Sequence, residues 1–429
     1  PDWIVRRLIP LECGRLQGFP DGWAEIAPLT SPQEFPFWRE VYARDCEIKG
    51  KRPSRKIVQG GSTESDKALM RWHDGLHSMT AEYAMWGNGM ALPNALFFVK
   101  NAFRELGKPA EDVKLGSLFD GSGTMPLCAV MCGGRAVWAS EVEPYPIAVT
   151  RTHLPHMKHL GSVKDVRGDK IEPVDIITFG SPCLGGGRSG LFWEAIRIII
   201  EMLVATNGKY PRFVIWENVP GALSSNGGKD FETVLNELLR IRGFAGGRAD
   251  RPILQHGKWG GFANYGAVAY RIVNAQHWGI PQRRRRVYAV CDTSGESAGV
   301  VVFERKGTEW NFEPCIPQGK EVAGLTADCY SWHDRMVASK PSGGQRGAYT
   351  MKIRSGCDGG GKGALVQEEL SATLATHQDQ TLFELRNAVL NDQGGGFMEV
   401  THGMTETLRT QEHGHPPITF DKIEGAKNR

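Results

Sequence analysis

No run of eighteen apolar residues occurs in this chain, and no basic segment leading into an apolar one stands at its start, so neither a membrane span nor a secretory signal is expected and the protein reads as soluble and intracellular. CxxC pairs and histidines at zinc spacing are also missing. The nine cysteines are an odd number, scattered, which disfavours both a disulfide framework and a structural metal and suggests mostly buried thiols. A large charge excess is lacking too: the formal net charge is +3. One local concentration stands out, Arg283-Arg284-Arg285-Arg286, which suggests an anionic partner, although from these residues alone a solvated charge run is the favoured reading. At 429 residues the chain has room for two or three domains with a sizeable core.

Apolar runs of strand length are predicted at 115–120, 135–140, 174–180, 212–218 and 285–291. Helical spacing is predicted over 191–204, "LFWEAIRIIIEMLV", and over 230–241, "DFETVLNELLRI". Alternating strands and helices predict an α/β fold built on a doubly wound, mostly parallel sheet, whose ligands sit beyond the carboxyl ends of the strands.

The unusual residues fall at those ends. Asp120-Gly121-Ser122-Gly123-Thr124 is a glycine turn between strand and helix, suited to close approach of a nucleotide-like ligand, although it lacks the dinucleotide pattern GxGxxG. The next strand ends at Glu141, where a carboxylate can accept from ribose hydroxyls or serve as an ordinary surface acid. "GSPC" delivers Cys183, and "WENVPG" delivers Glu217, so a thiol and a carboxylate are expected on one rim. A free thiol with pKa about 8.5 is only slightly ionised at neutral pH yet strongly nucleophilic. A packed core cysteine is the alternative.

Taken in order, "FDGSGT", "GSPC", "WENVPG" and "PQRRRRVYAV" resemble the signature blocks of the DNA cytosine-5 methyltransferases. "RRLIPLECGRLQGFPDGW" (6–23) is similar to the block that follows that family's target-recognition region, and "WGNGMALPNAL" (86–96) to its last block. Both stand before the first block here, so the chain is expected to be a circular permutation, with its new ends at the junction between recognition region and residue 6. The absent initial Met fits a processed or constructed chain.

The resemblance implies a Rossmann-like class I methyltransferase domain over 81–300, a segment over 1–80 packing with the recognition domain, and a smaller β-rich target-recognition domain over 301–429. It implies S-adenosylmethionine as cofactor and double-stranded DNA as partner, with no membrane, no metal and a monomeric state. Cys183 would add to cytosine C6, and Glu217 would stabilise the charge developing in the ring. Arg284 and Arg286 would complete the catalytic set, with Arg286 on the base. The cofactor would lie against Phe119, Asp120, Gly121, Gly123 and Thr124, then Glu141 and Val142. Ser162, Pro182 and Leu191 would close one side, Asn88 and Gly89 the other. Arg188, Gln282 and Arg283 would meet DNA.

Two departures from the family pattern appear. Only Leu184 and Gly185 to Gly187 separate Cys183 from Arg188, where the family carries a longer mobile loop with polar side chains, so base flipping is expected to suffer. Ser162 stands where an aspartate usually meets the adenine amine, which predicts weaker cofactor binding.

Beyond residue 300 the chain is rich in Gly, Thr and Gln, and two segments, 358–383 and 392–420, repeat about 34 residues apart. A turn-plus-strand repeat with no further role is one reading. Groove recognition by His377, Gln378, Arg409, Gln411, Glu412 and His413 is the other, since such side chains can pair with base edges. Two function classes stay open beside a DNA methyltransferase: a cofactor- and DNA-binding protein with little turnover, and an RNA cytosine-5 methyltransferase. A nicotinamide oxidoreductase has little support.

Overall fold

The computed structural model describes residues 3–181, 190–246, 255–257, 260–263, 267–303, 348–353, 364–368, 371, 380–385, 388–392 and 398–402. Their centre is a nine-stranded sheet. Its strands are β2 (Lys114–Leu118), β3 (Arg135–Ser140), β4 (Lys158–His159), β5 (Ile176–Phe179), β6 (Phe213–Asn218), β7 (Gln255–Gly257), β8 (Gly260–Ala263), β9 (Val268–Asn274) and β10 (Arg285–Asp292), following β1 (Trp3–Arg7) in the chain. The spatial order is β4-β3-β2-β5-β6-β10-β9-β8-β7. The five strands from β4 to β6 are parallel, and β10 enters antiparallel beside β6. The chain leaves β2 toward one edge and β5 toward the other, so the strand order reverses between them. A crevice opens beyond their carboxyl ends, which is where doubly wound sheets take ligands.

Helices cover both faces. In chain order they are α1 (Pro10–Gln17), α2 (Phe35–Ile48), α3 (Arg55–Val58), α4 (Thr63–Asp74), α5 (Met79–Asn88), α6 (Leu92–Leu106), α7 (Thr124–Met131), α8 (Pro144–His153), α9 (Gly190–Ala205), α10 (Lys229–Gly243) and α11 (Ala298–Val302). On α9, Phe192, Ala195, Ile196, Ile199, Met202 and Leu203 repeat at three- and four-residue steps and are all buried, as are Phe231, Val234, Leu235, Leu238 and Leu239 on α10. These two helices share one core with Ile177, Val214 and Val287 of the sheet. The opposite face is covered by α6, α7 and α8 with α1 and α11, where Phe98 stacks on Tyr288 of β10 at 4.2 Å.

All five predicted strands and both predicted helices are present, with ends shifted by a few residues. The expectation for residues 1–80 differs from what is found: β1 alone joins a β-rich sheet, of order β1-β13-β11-β12, with β11 (Ala348–Ile353), β12 (Ala364–Glu368) and β13 (Gln380–Leu385). Among the described residues, the rest of that segment packs on the nine-stranded sheet and its helices. Leu8, Cys13, Leu16, Phe19 and Trp23 are apolar and fit the face already formed by α6 and α7. Trp38, Val41 and Leu69 of α2 and α4 cover Ile147 and Ala148 of α8. Strands β14 (Ala388–Asp392) and β15 (Met398–His402) pair separately.

Trp138 of β3 lies flat over Gly116 of β2, its indole N–H donating to the Glu172 carbonyl at 2.9 Å, and a Cβ at 116 would overlap its ring. Gly116→Ala is therefore expected to cost about 1–3 kcal/mol by overpacking, read as a lower urea midpoint with unchanged slope. An unchanged midpoint would show that the indole moves aside freely.

Candidate active site

At the end of β2 the chain turns sharply. Phe119, Gly121 and Gly123 all have positive φ, 57°, 59° and 79°, a region that only glycine enters without cost, so the turn is strained at Phe119. A Cβ on Gly121 would meet nothing within 4 Å, so its open side faces space. A Cβ on Gly123 would press on Thr150, which fixes glycine there. Glu141, at the end of β3, accepts from the Gly121 amide at 2.8 Å through one oxygen and from the Val142 and Glu143 amides at 2.6 and 2.9 Å through the other. Thr124 is buried, its hydroxyl 3.0 Å from that of Ser122.

Asp120 is buried, and neither carboxylate oxygen has a hydrogen-bond partner. Burial pushes its pKa up to about 7, the nearby Ser117 hydroxyl pulls it down, and the charge of Glu141 pushes it up. An orphaned acceptor beside an open glycine is what a ligand with N–H or O–H donors would complete. Asn88, exposed at the end of α5, and Gly89 lie against this turn, since a Cβ on Gly89 would sit 3.3 Å from the Ser122 hydroxyl. The structure thus brings Asn88, Gly89, Phe119 to Thr124, Glu141 and Val142 to one end of the sheet. Ser162 follows β4 on the same rim and accepts from the Lys164 amide through its hydroxyl at 3.3 Å. Leu191, in the first turn of α9, packs half-buried against the α9 and α10 core.

The second half of the site is built on β5 and β6. Trp216 Nε1 donates to the Ser181 hydroxyl at 3.2 Å and Asn218 Nδ2 to the Ser181 carbonyl at 2.9 Å, so the residues on either side of Glu217 fasten the end of β5. Glu217 is 8% exposed and ion-paired with Arg286 Nε at 2.9 Å. A Cβ on Gly180 would lie 3.3 Å from its other oxygen. Burial raises the Glu217 pKa, against the opposing pull of Arg286 and then Arg284. Pro182, Cys183, Leu184 to Gly187 and Arg188 lie outside the described residues, as do His377, Gln378, Arg409, Gln411, Glu412 and His413.

The arginine run is not a solvated face throughout. Positions 282, 284 and 286 are buried while 283 and 285 are exposed, the alternation of a strand. Arg284 is fully buried and donates to the carbonyls of Gly87 and Gly89, flanking Asn88, so it braces the α5–α6 turn rather than a substrate. Gln282 does not face a DNA groove: it is fully buried, its side-chain oxygen and nitrogen are both unpartnered, and its backbone bridges to Ser371. The inward phase of the strand explains both placements. Arg283, exposed, donates its amide to the Ser371 carbonyl at 2.8 Å.

Sequence reasoning missed Trp23. Its Nε1 donates to the Ser122 carbonyl at 2.8 Å, and its ring stacks on His153 at 4.6 Å, so the N-terminal block holds the glycine turn from behind. Among the described residues no cluster of His, Cys, Asp and Glu could hold a metal ion, and no helix is long and apolar enough to cross a membrane.

Residues 113–245 match the family described as C-5 cytosine-specific DNA methylase. The chain is 28% identical over 355 residues to the DNA N-6-adenine-methyltransferase of Escherichia phage P1, covering 70% of this chain and 44% of that one. It is 27% identical over 197 residues to the Type II methyltransferase M.AquIA of Picosynechococcus, covering 43% of this chain and 73% of that one. To M.HhaI of Haemophilus parahaemolyticus it is 27% identical over 185 residues, 41% of this chain and 47% of that one.

Asp120 sets a pH dependence. Its folded pKa lies above the ordinary carboxylate value, so its contribution is full below about pH 4 and is lost as pH rises toward 7. Against Asp120→Asn, the wild-type unfolding free energy should fall by about 4 kcal/mol over that window in urea titrations at successive pH. Parallel pH profiles for the two proteins would show that Asp120 is ionised as freely in the fold as out of it.

Proposed function

We propose that this chain transfers a methyl group from S-adenosylmethionine to C5 of cytosine in double-stranded DNA, and that its block order is a circular permutation of the C-5 methylase arrangement. The observation that carries the reading is the buried Glu217–Arg286 pair, on a strand whose residues 216 and 218 both bond Ser181, two residues before Cys183 in the sequence.

Cytosine C5 is too weak a nucleophile to react unaided. The Cys183 thiolate adds to C6, and the electron pair of the C5–C6 double bond moves to C5. Burial raises the Glu217 pKa, which favours its sharing a proton with the ring nitrogen N3, where negative charge develops, and that proton returns to the carboxyl group when the ring is restored. Arg286 keeps that carboxyl oriented and offers its remaining N–H groups to the ring oxygen. S-adenosylmethionine, when bound, supplies the methyl group from a sulfonium and leaves as a neutral thioether. Loss of the C5 proton to a base then expels the thiolate and restores the ring.

The residues around the glycine turn fit that cofactor. Asp120 supplies an unpartnered acceptor, and Gly121 leaves room for close approach. Glu141 retains lone pairs for ribose hydroxyls beside those its own loop uses. Ser162 offers a hydroxyl to the adenine amine in place of a carboxylate, which weakens the hold.

The phage relative is named for transfer to adenine N6, and this chain covers 44% of its length, so the name leaves open which part of that protein the likeness falls on. Transfer to an exocyclic amine would give no use to a cysteine two residues after Ser181 in the sequence or to the buried Glu217–Arg286 pair. The four residues between Cys183 and Arg188, Leu184 and three glycines, carry no polar side chain to fill the gap left by an extruded base, so turnover on fully paired DNA is slow and a mismatch opposite the target speeds it.

Incubation with duplex DNA and labelled cofactor, followed by nucleoside mass spectrometry, is expected to yield 5-methyldeoxycytidine. Cys183→Ser should abolish it, and Glu217→Gln should reduce it by roughly 10²–10⁴-fold with cofactor affinity nearly unchanged. N6-methyldeoxyadenosine as the product, label confined to RNA, or equal loss of cofactor binding in Glu217→Gln would each overturn the assignment.

A further inference from the structure

Between the two N-terminal blocks the chain inserts α2, α3 and α4, and the turn joining the first two is the most basic exposed segment among the described residues outside the arginine run. Residues 49–56, "KGKRPSRK", hold five positive charges and no negative one, more than the whole chain's formal excess of +3. Every one of the eight is exposed. The turn has a defined backbone. Gly50 takes φ of 64° to end α2, the Lys51 amide donates to the Cys46 carbonyl at 2.8 Å, and the Ser54 amide donates to the Tyr42 hydroxyl at 3.1 Å. Lys49 is paired with Asp45 at 2.7 Å, and Lys56 lies 3.7 Å from Glu64. Among the described residues Lys51, Arg52 and Arg55 have no acidic partner.

Its place in the fold gives the cluster a direction. One turn before the end of α2, Arg44 is ion-paired with Asp165, in the segment that follows β4 and contains Ser162. The basic turn therefore stands on the same carboxyl rim of the sheet as the site, at its β4 edge, while Ser371 bridges to Gln282 at the β10 side. Nothing in the packing needs these charges: the apolar residues Trp38, Val41 and Leu69 already fix α2 and α4 on α8.

We propose that Lys51, Arg52 and Arg55 form a second DNA contact, engaging backbone phosphates of duplex flanking the target site. The proposal rests on the reading of the chain as a DNA methyltransferase and adds to it a sequence-independent anchor outside the catalytic pocket. Such an anchor supplies affinity that rises with duplex length and falls steeply with salt, because each neutralised phosphate releases condensed counterions. It also offers a means of retaining DNA while a short catalytic loop flips the base slowly.

The test uses the full chain and two duplexes, one of about 12 base pairs and one of about 40, titrated across a salt series. Reversal of the three charges (K51E/R52E/R55E) should weaken binding to the long duplex at least about tenfold and flatten its log-affinity against log-salt slope by about 2–3, at roughly 0.9 per phosphate. Binding of the short duplex should stay within about twofold. A control, R135E/K209E, reverses exposed charges at the opposite, amino-terminal rim. An unchanged slope in the triple variant while wild type binds both duplexes, an equal loss in the control, or binding of the turn to anionic lipid vesicles but not to DNA would overturn the anchor and leave the catalytic reading standing. Wild type that binds neither duplex would overturn both.

Discussion

A carboxyl group buried beneath a crevice loses several kcal/mol of hydration, and the site depends on how Glu217 is kept there. Arg286 reaches it from the neighbouring antiparallel strand at 2.9 Å, and removing either partner from such a pair typically costs about 3–5 kcal/mol. The same two strands therefore carry both the site and a share of the stability. The neighbours of Glu217 also fasten the chain just beyond β5: Trp216 and Asn218 both bond Ser181. The chain reaches Cys183 from a strand end that cannot drift relative to the carboxyl group.

The pocket for the cofactor is held from outside its own strands. Trp23 supports the glycine turn through Ser122, and Arg284 grips the carbonyls on both sides of Asn88. Each brace joins segments distant in the chain. Residues 6–23 and 86–96 therefore pack as parts of the same body as the nine-stranded sheet although they precede its first strand, which is compatible with the block order proposed above. Helix α6 shows the same independence from chain order, lying over β10 through Phe98 and Tyr288 and bonding α11 through Asn101.

Much of this was legible in the sequence because the central strands and helices carry clear patterns: Ile176 to Phe179 is apolar but for Thr178, Phe213 to Trp216 is apolar, and the α9 face repeats apolar residues at three- and four-residue steps. Strand ends then placed Glu141 and Glu217 on one rim. What composition could not tell was which arginines of a four-residue run turn inward. That is decided by the alternating, bridged segment that leads into β10, which buries 282, 284 and 286 and exposes 283 and 285. Gln282 was expected on DNA only from the resemblance to the family's arginine block. Trp23 was read as part of a signature block, and its bond to Ser122 carries no periodic signal. The 1–80 segment was assigned as one body because it precedes the catalytic blocks, whereas only β1 has the pairing that ties it to β13.

That Cys183 is the nucleophile, working against Glu217, is tested most directly by trapping. Duplex DNA carrying 5-fluorocytosine at the target should form a stable covalent adduct in the presence of cofactor, because fluorine cannot leave C5 as a proton does. Peptide mass spectrometry is expected to map the adduct to Cys183, with trapping much reduced in Glu217→Gln. An adduct on another of the nine cysteines, or methyl transfer that proceeds with no adduct at all, would contradict the assignment.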